Sequence, residues 1–278
     1  MHKTILYLVL TGVLLALNSC SNAVEPLRIM SYNIRLDVPS DGINQWNYRR
    51  EGLVSLVQEE KPDVFGIQEG LPHQVSFLSQ QLEGYSMIGK GRDGGNNGEY
   101  SAIYYKKNKL KLLKSETFWL SETPKKPSVG WDAALNRIVT YGVFSTVNSN
   151  KKIVVYNTHF DHIGKQAREN SAKLIVHHIK ANNFTKEQLV VMGDLNAVPK
   201  EAPIKLLSKH LEDAFTSTPV KNPIGTFNAF NIQSKLVRRI DYVFTKNLEV
   251  IEHRHVQKKL PNGLWPSDHL PVLISIKK

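Results

Sequence analysis

Cysteine is almost missing from this chain: Cys20 is the only one in 278 residues. No disulfide can close within it, so an oxidising compartment would be tolerated but not used for stability. After residue 17 no second long hydrophobic run appears, and the body reads as soluble. Internal repeats, low-complexity tracts and linkers are missing too, which leaves one domain. Acidic residues are the scarcer sign, 25 Asp and Glu against 36 Lys and Arg, for a formal net charge of +11. That balance favours anionic partners such as nucleic acid, phospholipid surfaces or phosphorylated metabolites, or simply keeps the surface soluble. Hydrophobic residues make up 41%, enough for a sizeable core, so disorder is a poor reading.

What is present begins with an apolar run over 5–17, behind the polar pair His2 and Lys3. It is too short to span a bilayer comfortably and has the layout of a secretory signal. It ends in Leu17-Asn18-Ser19-Cys20, which resembles a bacterial lipoprotein signal, where the cysteine is acylated and becomes the first residue. An ordinary signal peptide with a chance cysteine is the alternative. The resemblance implies a signal over 1–19, a tether over 20–25 and a folded domain over 26–278. It implies an extracytoplasmic protein, periplasmic or cell-surface, that meets the membrane only through a lipid on Cys20.

Apolar, β-branched runs recur at 27–34, 64–67, 103–105, 138–147, 153–156, 189–192, 240–244 and 272–276. These read as short, buried strands. Helical spacing appears over 46–60, which Lys61-Pro62 stops, and over 72–82, 166–179 and 199–208. The stretches 91–99, 121–132 and 214–235 have loop composition. Lys106, Lys107, Lys109, Lys111 and Lys114 alternate with apolar residues, as on the solvated face or edge of a strand. Strands mixed with helices give an α/β or α+β sheet protein, with active groups expected on loops after strands.

Polar, metal-competent side chains sit at the ends of these strands again and again. They are Asn33, Glu69, His159, Asp194 with Asn196, Asp241, and Asp268 with His269. A charge beside a buried strand is expensive unless it is paired or bound to metal. One alone could be a cap or a structural ion pair; the recurrence points to a site. Carboxylate and amide oxygens without cysteine suit hard cations, whereas zinc would want several His or Cys ligands. His177 and His178 are adjacent on a helix and point to different faces, so they read as surface or core residues.

The segments Ser31-Tyr32-Asn33, Gln68-Glu69, Asn157-Thr158-His159, Gly193-Asp194-Leu195-Asn196, Arg239-Ile240-Asp241-Tyr242 and Ser267-Asp268-His269-Leu270-Pro271-Val272 resemble the endonuclease/exonuclease/phosphatase superfamily, in its order and over nearly the whole body. The resemblance implies a four-layer α/β sandwich of two packed mixed sheets flanked by helices, and hydrolysis of a phosphodiester or phosphomonoester with Mg²⁺ or Mn²⁺. It implies that Glu69 binds the metal, with Asn33 nearby and Asp268 on the same or a second ion. Asp194 and Asn196 would position water and phosphate. His269, oriented by Asp241, would be the general base, and His159 would stabilise the phosphoryl group or protonate the leaving oxygen.

His159 is also similar to the residue of DNase I-like nucleases, sphingomyelinases, 5-phosphatases and deadenylases, where repair endonucleases carry Tyr. The pattern Phe118-Trp119-Leu120-Ser121-Glu122-Thr123-Pro124, Gly130-Trp131-Asp132, Arg137, His159-Phe160-Asp161-His162 and Arg168 resembles a bacterial subgroup close to deadenylases. Arg137 and Arg168 are candidates for phosphate contacts or for structural ion pairs. Trp119 and Trp131 read as core or loop anchors before stacking platforms. Asp161 and His162 could extend the site or cap the next helix. The leading expectation is an exported phosphodiesterase or nuclease acting on nucleic acid or nucleotides. The alternatives are a phosphatase or sphingomyelinase-like enzyme on inositol, lipid or sugar phosphates, and a binding protein without catalysis.

Overall fold

The computed structural model describes residues 25–147, 151–218 and 224–277. Cys20, the expected signal and most of the expected tether lie outside them. Among the described residues the strands are β1 (Leu27–Asn33), β2 (Val64–Gln68), β3 (Tyr85–Ile88), β4 (Ile103–Lys106), β5 (Leu110–Trp119), β6 (Ile138–Thr146), β7 (Lys152–His159), β8 (Gln188–Asp194), β9 (Glu212–Asp213), β10 (Asp241–Lys246), β11 (Val250–His255) and β12 (Val272–Ile276). The helices are α1 (Trp46–Glu60), α2 (Pro72–Gln81), α3 (Lys165–Ala181), α4 (Ala202–Ser208) and the single turn α5 (Ala214–Ser217). No described helix is long and apolar enough to cross a membrane.

Two six-stranded sheets form, in the orders β11-β12-β1-β2-β4-β3 and β5-β6-β7-β8-β10-β9. Each holds one parallel pair, β1 with β2 and β7 with β8, and the other pairs are antiparallel. A parallel pair needs a crossover; α1 supplies it in the first sheet and α3 in the second. The expected four-layer α/β sandwich is what forms. Met30, Tyr32, Phe65 and Ile67 face α1 and α2. Val154, Tyr156, Val191 and Tyr242 face α3 and α4. Ile29, Val64, Val155, Val190, Met192, Val243 and Ile274 fill the space between the sheets.

The two-residue period of a strand decides where chemistry can sit. Followed along their inner faces, the parallel strands run from apolar to polar: Ile29, Ser31, Asn33; Val64, Gly66, Gln68; Val155, Asn157, His159; Val190, Met192, Asp194. All four polar ends lie at the carboxyl ends of their strands, where open α/β sheets place ligands. Just inside that end, Asn157 pins the sheets together. Its amide donates to the carbonyls of Ile67 (2.8 Å) and Ala102 (2.9 Å) on the other sheet, and its oxygen accepts from Gln68 Nε2 at 2.6 Å. Gly66 makes room for it, since a Cβ there would fall 2.4 Å from Asn157 Cγ. Asn157→Leu removes all three hydrogen bonds in a sealed layer. It should cost about 3 kcal/mol or more, read as a fall in the urea midpoint.

Several elements differ from the sequence reading for physical reasons. The Lys106 to Lys114 stretch forms the turn into β5, the outermost strand of its sheet, exposed on one face as expected. β3 and β11 are also sheet-edge strands, and β9 has two residues; half-exposed edges lack the apolar run that marks a buried strand. α4 starts at Ala202, later than expected, because Glu201 first accepts from Val198 N in a turn.

Candidate active site

Asn33 ends β1 and holds two carboxylates. Its Nδ2 donates to Glu69 Oε1 (2.9 Å) and to Asp194 Oδ2 (3.0 Å), and its Oδ1 accepts from Arg35 N. Glu69 follows β2 in a left-handed conformation, φ 64, a strain of about 1–3 kcal/mol of the kind that clusters at functional sites. Leu36 N donates to its other oxygen at 3.0 Å. Asp194 ends β8, after Gly193 at φ 147, where a Cβ would fall 1.9 Å from the Thr158 carbonyl oxygen. Asp194 Oδ1 accepts from Asn196 N at 2.9 Å.

His159 ends β7 beside Asp194 in the register. Its Nε2 lies 3.0 Å from Asn196 Nδ2 and 3.5 Å from Asp194 Oδ2. Asp241 opens β10 opposite Asp194 and meets His269 Nδ1 at 2.9 Å. His269 Nε2 then lies 3.7 Å from Asp194 Oδ2. Asp268 stands 3.9 Å from Arg35 Nε. Its loop is tied to β1 by Ser267 Oγ, which donates to the Asn33 carbonyl at 2.7 Å. Asn33, Glu69, His159, Asp194, Asn196, Asp241, Asp268 and His269 therefore gather at one end of the sandwich.

The electrostatics of this cluster are uneven. Burial and the charge of Asp241 push the Asp194 carboxyl up to about 7. Burial, and then the charge of Glu69, also raise Asp268, against the pull of His269. Burial opposes charge on His269, but Asp241, Asp194 and Asp268 outweigh it and hold its proton well above the ordinary imidazole value. Burial and the charge of Arg137 hold His159 well below it. Asp241 Oδ1 is buried without a hydrogen-bond partner among the described residues.

Burial raises two of the cluster's carboxyls, Asp194 and Asp268, in spite of the cationic groups around them, so a further positive charge placed among these oxygens would be stabilised. Oxygen atoms of Glu69 and Asp194 and a nitrogen of His159 lie within 4.8 Å of one another. The donors are hard oxygens with no sulfur, so the residues present fit a divalent cation of the Mg²⁺ or Mn²⁺ type.

Glu69, His159, Asp194, Asn196, Asp268 and His269 line a cavity of about 500 Å³, together with four arginines: Arg35, Arg92, Arg137 and Arg238. Arg137 donates to Asp161 Oδ2 at 3.2 Å and lies 3.0 Å from His162 Nδ1. Asp161 also caps the turn into α3, accepting from Ile163 N and Gly164 N. Burial works against its charge, but those backbone donors and Arg137 hold it at about 2. Arg168 is placed differently. It donates to the Asp161 carbonyl at 3.0 Å, approaches Glu201 at 3.6 Å, and is not part of the cavity lining. Trp119 is buried, with Nε1 donating to the Arg92 carbonyl at 2.6 Å, and Trp131 stands outside the lining. His178 packs on Phe118 and meets Tyr156 OH at 2.8 Å, far from the acids in the fold.

Sequence reasoning missed Arg35, Arg92, Arg238 and Arg49. Arg92 sits in the 91–99 loop, whose glycines suggested flexibility. There it pairs with Glu99 at 2.7 Å, and its backbone N donates to the Glu99 carbonyl. Arg238 lies over Phe227, 5.1 Å from the ring centroid, and Phe227 in turn packs edge-on against His269. Arg49 is 1% exposed on α1. It donates to the carbonyls of Ile34, Arg35 and Pro266, joining the chain after β1 to the Asp268 loop. Its signal was an arginine on the apolar stripe of a helix, four residues before Leu53.

Comparison with known proteins gives a consistent picture. Residues 30–269 match the Endonuclease/Exonuclease/phosphatase family. The solved structure of a mannosyl-6-phosphatase from Bacteroides thetaiotaomicron is 33% identical; the match covers 91% of this chain and 100% of that one, with a TM-score of 0.86. An uncharacterized protein of Acanthamoeba polyphaga mimivirus is 28% identical over 250 residues, 84% of this chain and 92% of that protein. Tyrosyl-DNA phosphodiesterase 2 of Danio rerio is 25% identical over 173 residues, 61% of this chain and 41% of that protein.

Proposed function

The chain belongs to the endonuclease/exonuclease/phosphatase family, and from that premise we propose that it is a divalent-metal-dependent phosphatase of small phosphomonoesters, with sugar phosphates as the substrate class. The observation that carries this reading is a cavity of about 500 Å³ lined by the acidic cluster and four arginines, three of them held in place by Asp41, Glu99 and Asp161 and the fourth, Arg238, without an ion-pair partner among the described residues. Guanidinium groups match the oxygens of a terminal phosphate, and the volume suits a small ligand. The mannosyl-6-phosphatase that resembles the chain over its full length supports the same choice. This reverses the order of the two readings drawn from the sequence.

Glu69 and Asp194, with His159, are the residues placed to hold the metal, with Asn33 orienting the two carboxylates and Asp268 nearby. Bound there, the cation would offset charge growing on the phosphoryl oxygens. The family resemblance implied His269 as the general base. Its tightly held proton instead suits it to donate a charge-assisted hydrogen bond to a phosphoryl oxygen. In the metal-free protein Asp194 is pushed up to about 7, and its place in the cluster suits it to accept a proton from the attacking water; a cation bound beside it would lower that value. Asn196 fixes both Asp194 and His159 through the contacts given above. His159, kept neutral, presents no charge to repel the cation.

Arg238 and Phe227 form the part of the wall that meets the rest of the substrate. Arg238 is exposed and has no ion-pair partner among the described residues. Arg238→Ala should raise KM for a sugar monophosphate about tenfold or more, with stability changed by no more than about 0.5 kcal/mol. A matched rise in KM and fall in Tm would place it in the fold rather than the site.

A second reading, hydrolysis of nucleic acid, is favoured by the net charge of +11. The two separate on kcat/KM for hexose 6-phosphates against single-stranded DNA and bis-p-nitrophenyl phosphate. The phosphatase reading expects monoesters ahead by about a hundredfold. Diesters ahead would give the function to the nuclease reading.

A further inference from the structure

The strands that end at the cavity begin at the far end of the sandwich. β1 carries the chain from Leu27 at this base to Asn33 at the site, a rise of about 20 Å. The base is crowded with lysines. Lys111 on β5 and Lys152 on β7 flank Ser145 in the register, which puts them about 10 Å apart on one face. Lys107 lies in the turn before β5, Lys151 precedes β7, Lys186 lies in the turn before β8, and Lys209 follows α4. All six are exposed, and none has a carboxylate within ion-pair distance among the described residues. Burial and the charges of Lys180, Lys246 and Lys209 depress His210 at the same end.

We propose that this basal lysine face docks on an anionic phospholipid surface and so holds the mouth of the cavity toward solvent. Two observations favour a membrane over a nucleic acid. The lysines come from turns and strand ends across a whole end of the sandwich, a broad face rather than a groove, and they lie away from the site. The chain also enters the fold there. Glu25 pairs with Lys109 at 2.8 Å, and Cys20 is five residues upstream, so their separation cannot exceed about 18 Å. If Cys20 is acylated, as the sequence resemblance implies, the base must lie near the bilayer. A polybasic patch is the kind of second signal that turns marginal anchoring into stable attachment.

The test compares the full chain with two variants of equal charge change. One carries Lys111→Gln, Lys152→Gln, Lys186→Gln and Lys209→Gln; the other carries Lys125→Gln, Lys126→Gln, Lys165→Gln and Lys200→Gln, at the cavity end. Binding is read by co-sedimentation with vesicles of phosphatidylcholine, with and without phosphatidylglycerol. The apolar run over 5–17 and Lys3 are common to all three proteins, so the difference among them in preference for the anionic vesicles isolates the lysines. The wild type should prefer the anionic vesicles and lose that preference in high salt. The basal variant should lose about a hundredfold of it, and the cavity-end variant far less. Turnover of a soluble ester should be unchanged in both variants and when anionic vesicles are added. Equal losses in the two variants, no preference in the wild type, or tighter binding to duplex DNA through the same lysines would overturn the proposal. Inhibition of soluble turnover by vesicles would reverse the orientation and equally overturn it.

Discussion

Asp194→Asn should lower kcat at least about a thousandfold while the protein stays folded. The carboxylate meets four other residues of the site: Asn33 at 3.0 Å, the Asn196 backbone at 2.9 Å, His159 at 3.5 Å and His269 at 3.7 Å. An amide of the same shape keeps the packing. It cannot accept a proton from water, and it removes one negative charge from the cation site. Stability should change little, because two effects oppose. One buried hydrogen bond to Asn33 is spoiled, but a buried charge that burial disfavours is gone. The check is kcat and Tm on the same preparation. A tenfold fall in kcat or less would remove Asp194 from proton transfer. Loss of the folded signal would make the kinetic result uninformative, and Asn196→Ser would then test the same geometry one step out.

Mg²⁺ or Mn²⁺ should raise Tm by about 5–10 °C at saturation near pH 8, and by little near pH 5.5. Binding at a hundred times Kd contributes about 2.7 kcal/mol, and a chain of this size shifts by about 2–4 °C per kcal/mol. The pH dependence follows from the carboxylates. Asp194 is raised above its unfolded value, so in metal-free protein its stabilising share is present below the unfolded carboxylate value and is lost as pH rises through about 7. His269, also raised, acts with the same sign. His159, depressed by burial, acts oppositely, its share being lost as pH falls. The metal-free curve therefore mixes opposing slopes, whereas the metal-induced shift isolates the competition between protons and cation for the same oxygens. Differential scanning calorimetry in EDTA and in metal at both pH values reads it. A shift that is equal at the two pH values would put the cation away from Asp194.

The site was more legible in the sequence than the cavity around it. Asn33, Glu69, His159 and Asp194 stand where an apolar run stops abruptly at a polar residue, and Asp241 interrupts the start of another, a pattern that survives without coordinates. The same runs gave an α/β or α+β sheet protein; the four-layer sandwich came from the resemblance those strand-end motifs carry. The arginines were harder, because Arg35, Arg92 and Arg238 lie in polar surroundings where one more cation carries no signal. Only the pairing of Arg92 with Glu99 and the seat of Arg238 over Phe227 bring them to the cavity. Arg168 was open between a phosphate contact and a structural ion pair, and its guanidinium takes the structural place, on the Asp161 carbonyl and near Glu201. Edge strands such as β3 and β11 were hidden because one face meets water and the period of two is lost among polar residues.

The most direct test of the account is release of inorganic phosphate from a hexose 6-phosphate by the full chain. It would be measured with Mg²⁺ or Mn²⁺, then with EDTA, then with metal restored, beside Asp194→Asn. The account predicts release with metal, none in EDTA, recovery on restoring metal, and none from the variant at any stage. Release that continues in EDTA or in the variant would contradict it.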